Sequence, residues 1–166
     1  MASRQRSAGS SGSRSNDPPA RRTDRSRGAS AIKEADPQRS AGRKCVLIVE
    51  DHPLNMKLFR ALLELQSYRA LEAREGYVGL DLAREHDPDL IILDLALPDI
   101  SGIEVIRALK SDDRTRHIPI VVITASMPYE EAGTRAAGAD GFMTKPIATA
   151  EFLAIMRSFL EDEGGA

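Results

Sequence analysis

The sequence contains no tryptophan, one cysteine, four phenylalanines and three tyrosines among its 166 residues. A single cysteine excludes an internal disulfide and suits a reducing compartment. It falls in the apolar run Cys45-Val46-Leu47-Ile48-Val49, which reads it as a buried packing thiol rather than a reactive one. With aromatics at 4% and apolar residues at 42%, the core has to be aliphatic. No apolar run approaches the ~20 residues of a membrane span, and the N-terminus lacks the apolar stretch of a secretory signal. The expectation is a soluble, cytoplasmic protein with no membrane partner. Nor is there a Cys/His cluster that would hold zinc: His52, His86 and His117 fall in unrelated loop or helix-end positions.

The net charge of -2 conceals two differently built pieces. Through Gly42 the chain is rich in Ser, Arg, Gly and Pro, with nine basic and four acidic residues, so the remainder carries about -7. Ile32 is almost the only large apolar residue of that first piece. Residues 1–43 therefore read as a disordered tail, unable to bury enough surface to offset chain entropy. Arg22, Arg25 and Arg27 carry charge that nucleic acid or an acidic partner would attract, but no aromatics interleave with them as single-strand binding requires, and nucleic acid is not expected.

From Lys44 the pattern alternates between short aliphatic runs and stretches of helical periodicity. Strands are expected at 44–49, 69–73, 90–94, 120–124 and 141–144. Helices are expected at 53–66, 76–85, 103–110, 129–137 and 149–160. Pro53 opens the first helix, where Leu54, Leu58, Ala61, Leu62 and Leu65 recur at helical spacing. In the second, Val78, Leu82 and Ala83 point inward. The third carries Ile103, Ile106 and Leu109, and the last Phe152, Leu153, Ile155, Met156 and Phe159. Five βα units with short loops specify an α/β fold, a doubly wound five-stranded parallel sheet with helices on both faces.

The third run, Leu90-Ile91-Ile92-Leu93, is bounded by Pro88 and Pro98 and reads as a strand covered on both faces. Asp94 closes it. Ligands of open parallel sheets gather beyond the carboxyl ends of the strands, and there the sequence places Glu50 and Asp51, then Asp94, Thr124 and Lys145. Three carboxylates in one crevice repel one another unless a cation compensates. Oxygen ligands alone call for a hard divalent ion, Mg²⁺. A carboxylate beside Mg²⁺, an ammonium and a hydroxyl is equipped to accept a phosphoryl group. Asp94, on the central strand, is the nucleophile, with Lys145 and Thr124 stabilising the phosphoryl oxygens.

Residues 44–161 resemble the receiver domain of bacterial two-component response regulators. The matching stretches are Val49-Glu50-Asp51, Leu93-Asp94-Leu95-Ala96-Leu97-Pro98 followed by Ser101-Gly102, Ile123-Thr124-Ala125, and Gly141-Phe142-Met143-Thr144-Lys145-Pro146. Within that family, Glu50 through Phe59 and Ala73-Arg74-Glu75-Gly76 resemble the single-domain regulators of the DivK type, which act in cell division and the cell cycle. The resemblance implies a flavodoxin-like strand order of 2-1-3-4-5. It makes Asp94 the phosphoacceptor and Glu50 and Asp51 holders of Mg²⁺ together with Asp94 and the Ala96 backbone carbonyl. It assigns Lys145 to the phosphoryl group, Thr124 to the switch hydroxyl and Phe142 to the aromatic that rotates inward on activation. For Phe142 the residues themselves leave a plain packing role open.

The implied function is a single-domain response regulator of a phosphorelay. It takes a phosphoryl group from a histidine kinase or phosphotransfer protein and signals to a downstream kinase or regulator without being a turnover enzyme. Residues 162–166 form a short C-terminal tail, no output domain is expected after Leu160, and no helix-turn-helix pattern precedes the domain. An aspartate-nucleophile phosphatase would carry a second acid two residues after the nucleophile to protonate the leaving group, where this chain has Ala96. A receiver-like docking module that is never phosphorylated is the other alternative.

Overall fold

The computed structural model describes residues 42–125 and 128–161, so the expected tails, apart from Gly42 and Arg43, lie outside the described residues. The elements run β1 (Cys45–Val49), α1 (Pro53–Leu65), β2 (Arg69–Ala73), α2 (Gly76–His86), β3 (Leu90–Leu93), α3 (Gly102–Ser111), β4 (Ile120–Thr124), α4 (Pro128–Ala137), β5 (Gly141–Thr144) and α5 (Thr149–Leu160). The strands form one parallel sheet in the order β2-β1-β3-β4-β5, as expected.

β1, β3 and β4 are buried along their whole length because both faces of the sheet are covered. Alternation then divides each strand between two cores. Val46, Ile48, Leu90, Ile92, Val121 and Ile123 pack with α1 and α5. Leu47, Val49, Ile91, Leu93, Ile120 and Val122 pack on the other face with α2 and α3. Each fully buried aliphatic side chain contributes roughly 1.5–3 kcal/mol of transfer free energy, which compensates for the scarcity of aromatics.

Two helices turn partly away from the face expected, although Leu62 of α1 and Ala83 of α2 are buried as expected. In α1 the buried residues are Met56, Phe59, Leu62 and Leu63, whereas Leu54 and Leu65 are 70% and 77% exposed, Leu58 is 45% exposed and Ala61 is also exposed. The helix carries two apolar stripes. The sheet took the stripe in which Phe59 stacks on Phe152 of α5, with ring centroids 5.4 Å apart and planes 9° from parallel. In α2 Val78 is exposed and Leu82 half-buried, while Gly76, Gly79, Leu80 and Ala83 face the sheet. A Cβ on Gly79 would come within 2.8 Å of Val49 Cγ2, so the helix lies closer to β1 than a larger residue permits.

Candidate functional site

The parallel ladder sets two carboxylates side by side. Val49 pairs with Leu93, and Asp94 N donates to Val49 O at 2.9 Å, so the next residues along β1 and β3, Glu50 and Asp94, emerge together at the carboxyl edge. Glu50 N is held in turn by Ala73 O of β2 at 3.0 Å. Glu50 is 1% and Asp94 6% exposed, while Asp51 stands in solvent. Carboxylate oxygens of the three lie within 4.8 Å of one another.

Lys145 follows β5, the far edge of the sheet, yet its long side chain returns across β4 to these acids. Nζ donates to Asp94 Oδ2 at 2.5 Å and to Glu50 Oε2 at 2.8 Å. Burial by itself lowers the pKa of this ammonium, but its hydrogen bonds to Asp94 and Glu50 and their negative charge outweigh that, leaving it above the ordinary 10.5. The lysine is therefore a fixed cation at neutral pH.

The remaining sequence-derived residues lie around this centre. Thr124 is 2% exposed at the end of β4, where its carbonyl accepts the Lys145 amide at 2.9 Å. Ala96 is exposed, and its N–H donates to Asp94 Oδ1 at 3.1 Å. Phe142 is half-buried opposite Val122 and packs on the core of the α2/α3 face. Close approach is also built in after β3: a Cβ on Gly102 would sit 2.6 Å from Leu95 Cα and 2.7 Å from Asp94 O, so only glycine lets α3 begin against Asp94.

Three contributors were not drawn from the sequence. The His52 N–H donates to Glu50 Oε1 at 3.0 Å, and the Asn55 amide to Glu50 Oε2 at 3.3 Å. Asp99, in the loop after Asp94, receives the Gly76 and Tyr77 N–H groups at 2.7 and 2.8 Å and so caps α2 from another loop. Burial raises the pKa of that carboxyl, but the amide hydrogen bonds prevail and hold it below the ordinary 3.8. Only the Ser101-x-x-Glu104 capping box at the start of α3 carries a local pattern that announces itself.

Chemically, three carboxylates facing one ammonium leave excess negative charge supplied wholly by oxygen. That donor set fits a hard divalent cation and offers no soft ligand. The residues thus combine a buried carboxylate, a lysine shared between two acids and a third carboxylate close enough for the three to hold a metal ion.

Residues 46–157 match the response regulator receiver domain family. The chain is 48% identical over 120 residues to the polar-differentiation response regulator DivK of Brucella anthropi, covering 72% of this chain and 98% of that protein. The DivK of Brucella ovis is 47% identical over the same coverage. Among solved structures, the receiver domain of a Pseudomonas aeruginosa sensor histidine kinase, with magnesium coordinated in its active-site cleft, superposes with a TM-score of 0.66 at 26% identity. It covers 70% of this chain and 97% of that one. The Vibrio cholerae chemotaxis protein CheY4 superposes at 0.67 with 25% identity, covering 71% and 99%.

Proposed function

The chain belongs to the response regulator receiver domain family, and on that premise we propose that it is a phosphorylation switch whose acceptor is Asp94. The observation that carries this reading is the convergence of Glu50, Asp51 and Asp94 on one point with Lys145 bridging two of them. An Asp94 carboxylate oxygen bonds to phosphorus as the P–N bond of a phosphohistidine breaks, and the electron pair leaves with the imidazole. Lys145 neutralises charge on the transferred group, and the Thr124 hydroxyl is drawn toward it. Glu50, Asp51 and Asp94, with the Ala96 carbonyl, would hold Mg²⁺, and the ion would offset the charge that builds up during transfer. Movement of Thr124 makes room for Phe142 and shifts the α4-β5-α5 surface between two populations.

The donor is a histidine kinase or phosphotransfer protein and the output a downstream kinase or regulator, and this chain acts in the cytoplasm. Among the described residues no helix is long and apolar enough to cross a membrane. The exposed Leu54, Leu58 and Leu65 of α1 provide an apolar seat for the donor. Beside Leu58 a hollow of about 480 Å³, lined by Asn55, Leu58, Phe59, Lys145, Pro146 and Ile147, reaches the lysine that binds Asp94. The DivK relatives are covered almost end to end, which supports a single-domain mode of action.

Intact-protein mass after incubation with acetyl phosphate and Mg²⁺ tests the proposal. One added phosphoryl group, absent in Asp94→Asn and in EDTA, is expected. An unchanged mass, followed by failure to accept phosphoryl groups from a phosphorylated histidine kinase, would leave a docking module instead.

A further inference from the structure

Glu50 is a buried anion that accepts three hydrogen bonds, and the three donors differ in kind. The His52 N–H on Oε1 is backbone and cannot leave. Lys145 on Oε2 is shared with Asp94 and follows whatever charge develops there. The Asn55 amide, also on Oε2, is neutral and is carried by the third residue of α1, whose start is set by Pro53.

We infer that Asn55 is a positioning residue: its Nδ2 keeps Glu50 Oε2 aimed at the shared carboxylate site, both while Lys145 shares that oxygen and when Lys145 turns toward a phosphoryl group on Asp94. This rests on the reading of Glu50, Asp51 and Asp94 as the metal-binding phosphorylation site. The chemistry requires such a donor. Once the ammonium turns away, a carboxylate that is 1% exposed would retain a partner on Oε1 alone, and Oε2 would be free to rotate off the site. A neutral amide meets the need better than a second cation, because it orients Glu50 without competing for the charge that attracts the metal. Groups that orient a metal's ligands in this way typically change affinity by 10–100-fold when removed. Asn55 also lines the hollow beside Lys145, so the residue that orients Glu50 is in reach of an incoming donor.

The test is calorimetric titration of the full chain with Mg²⁺ alone, together with the shift in melting temperature that saturating Mg²⁺ produces. Asn55→Ala and Asn55→Leu are compared with wild type and Asp51→Asn. Leucine keeps the branching and heavy-atom count of the side chain and removes the amide's polar atoms. Both Asn55 variants are expected to bind Mg²⁺ about tenfold more weakly and to show a smaller Mg²⁺-induced shift. If Asn55→Leu binds like wild type while Asn55→Ala does not, the residue fills space and the inference is overturned. If both bind like wild type and Asp51→Asn is weakened, the inference fails while the site stands. Absence of Mg²⁺ binding by wild type removes the site and the inference together.

Discussion

Two lysines at opposite ends of the sheet are equally half-buried, with side chains 19% exposed for Lys145 and 21% for Lys110. Their partners are of opposite character. Lys145 holds only side-chain carboxylates, Glu50 and Asp94, at the carboxyl edge. Lys110 holds the carbonyls of Arg116 and Ile118 and the carboxylate of Asp140, which is itself pinned by the Ile120 N–H at 2.8 Å. One lysine is held by side-chain carboxylates alone, the other by two backbone carbonyls and a carboxylate that a backbone N–H pins in turn. The difference teaches how the two ends are held: around Lys110 backbone carbonyls share the ammonium with one carboxylate, while around Lys145 the balance is among side-chain charges alone.

The strongest way to break this contrast is Lys145→Ala. It leaves two buried carboxylates uncompensated, so phosphoryl transfer from acetyl phosphate should fall by more than about 100-fold. Stability at pH 7 should drop by about 3 kcal/mol, part of it recovered with Mg²⁺, as read by urea unfolding with and without the ion. Lys110→Met should cost about 1–2 kcal/mol through its unsatisfied carbonyls and leave the phosphorylation rate unchanged. A fall in that rate would show the two ends to be coupled.

Titration separates the ends further. The Lys145 ammonium is raised above 10.5, so its stabilising effect is complete below that pH and is lost as pH climbs through the folded value. Asp112, near the amino edge, is lowered from 3.8 to about 2, first by the Arg114 N–H and then by the Arg84 side chain, so its contribution is present above pH 3.8 and lost as pH falls toward 2. Melting curves of Lys145→Met and Asp112→Asn should converge on wild type at the alkaline and acid limits respectively. Convergence of both at the same limit would contradict the assignment. The smallest effect is expected for Leu54→Ser with Leu58→Ser, which should change stability by under about 0.5 kcal/mol each. Their consequence should be slower transfer from a protein phosphodonor and an unchanged rate from acetyl phosphate.

Legibility followed the range of the interactions. The Ile/Leu/Val runs between prolines and polar loops marked β1, β3 and β4 within a residue, because a strand covered on both faces admits almost nothing else. The carboxyl-edge residues could be named from strand ends alone, since a parallel sheet brings such ends together. The face of α1 could not, because Leu54-Leu58-Leu65 and Met56-Phe59-Leu63 both satisfy helical spacing. Only Phe152, 93 residues beyond Phe59, selects between them. The Asp99 cap on Gly76 and Tyr77 was hidden for the same reason, with donor and acceptor 23 and 22 positions apart and no local pattern to mark them.

By itself the sequence determined the alternation of strands and helices, the aliphatic core and the set of residues delivered to the carboxyl edge, because these depend on periodicity and on what each strand end carries. Tertiary structure decided which stripe of α1 is buried and which is left exposed. It decided that Lys145 spans two carboxylates and that Asn55 touches Glu50. Those contacts depend on the distances between strands and the angle at which a helix meets the sheet, and neither is written in the spacing of residues along one chain.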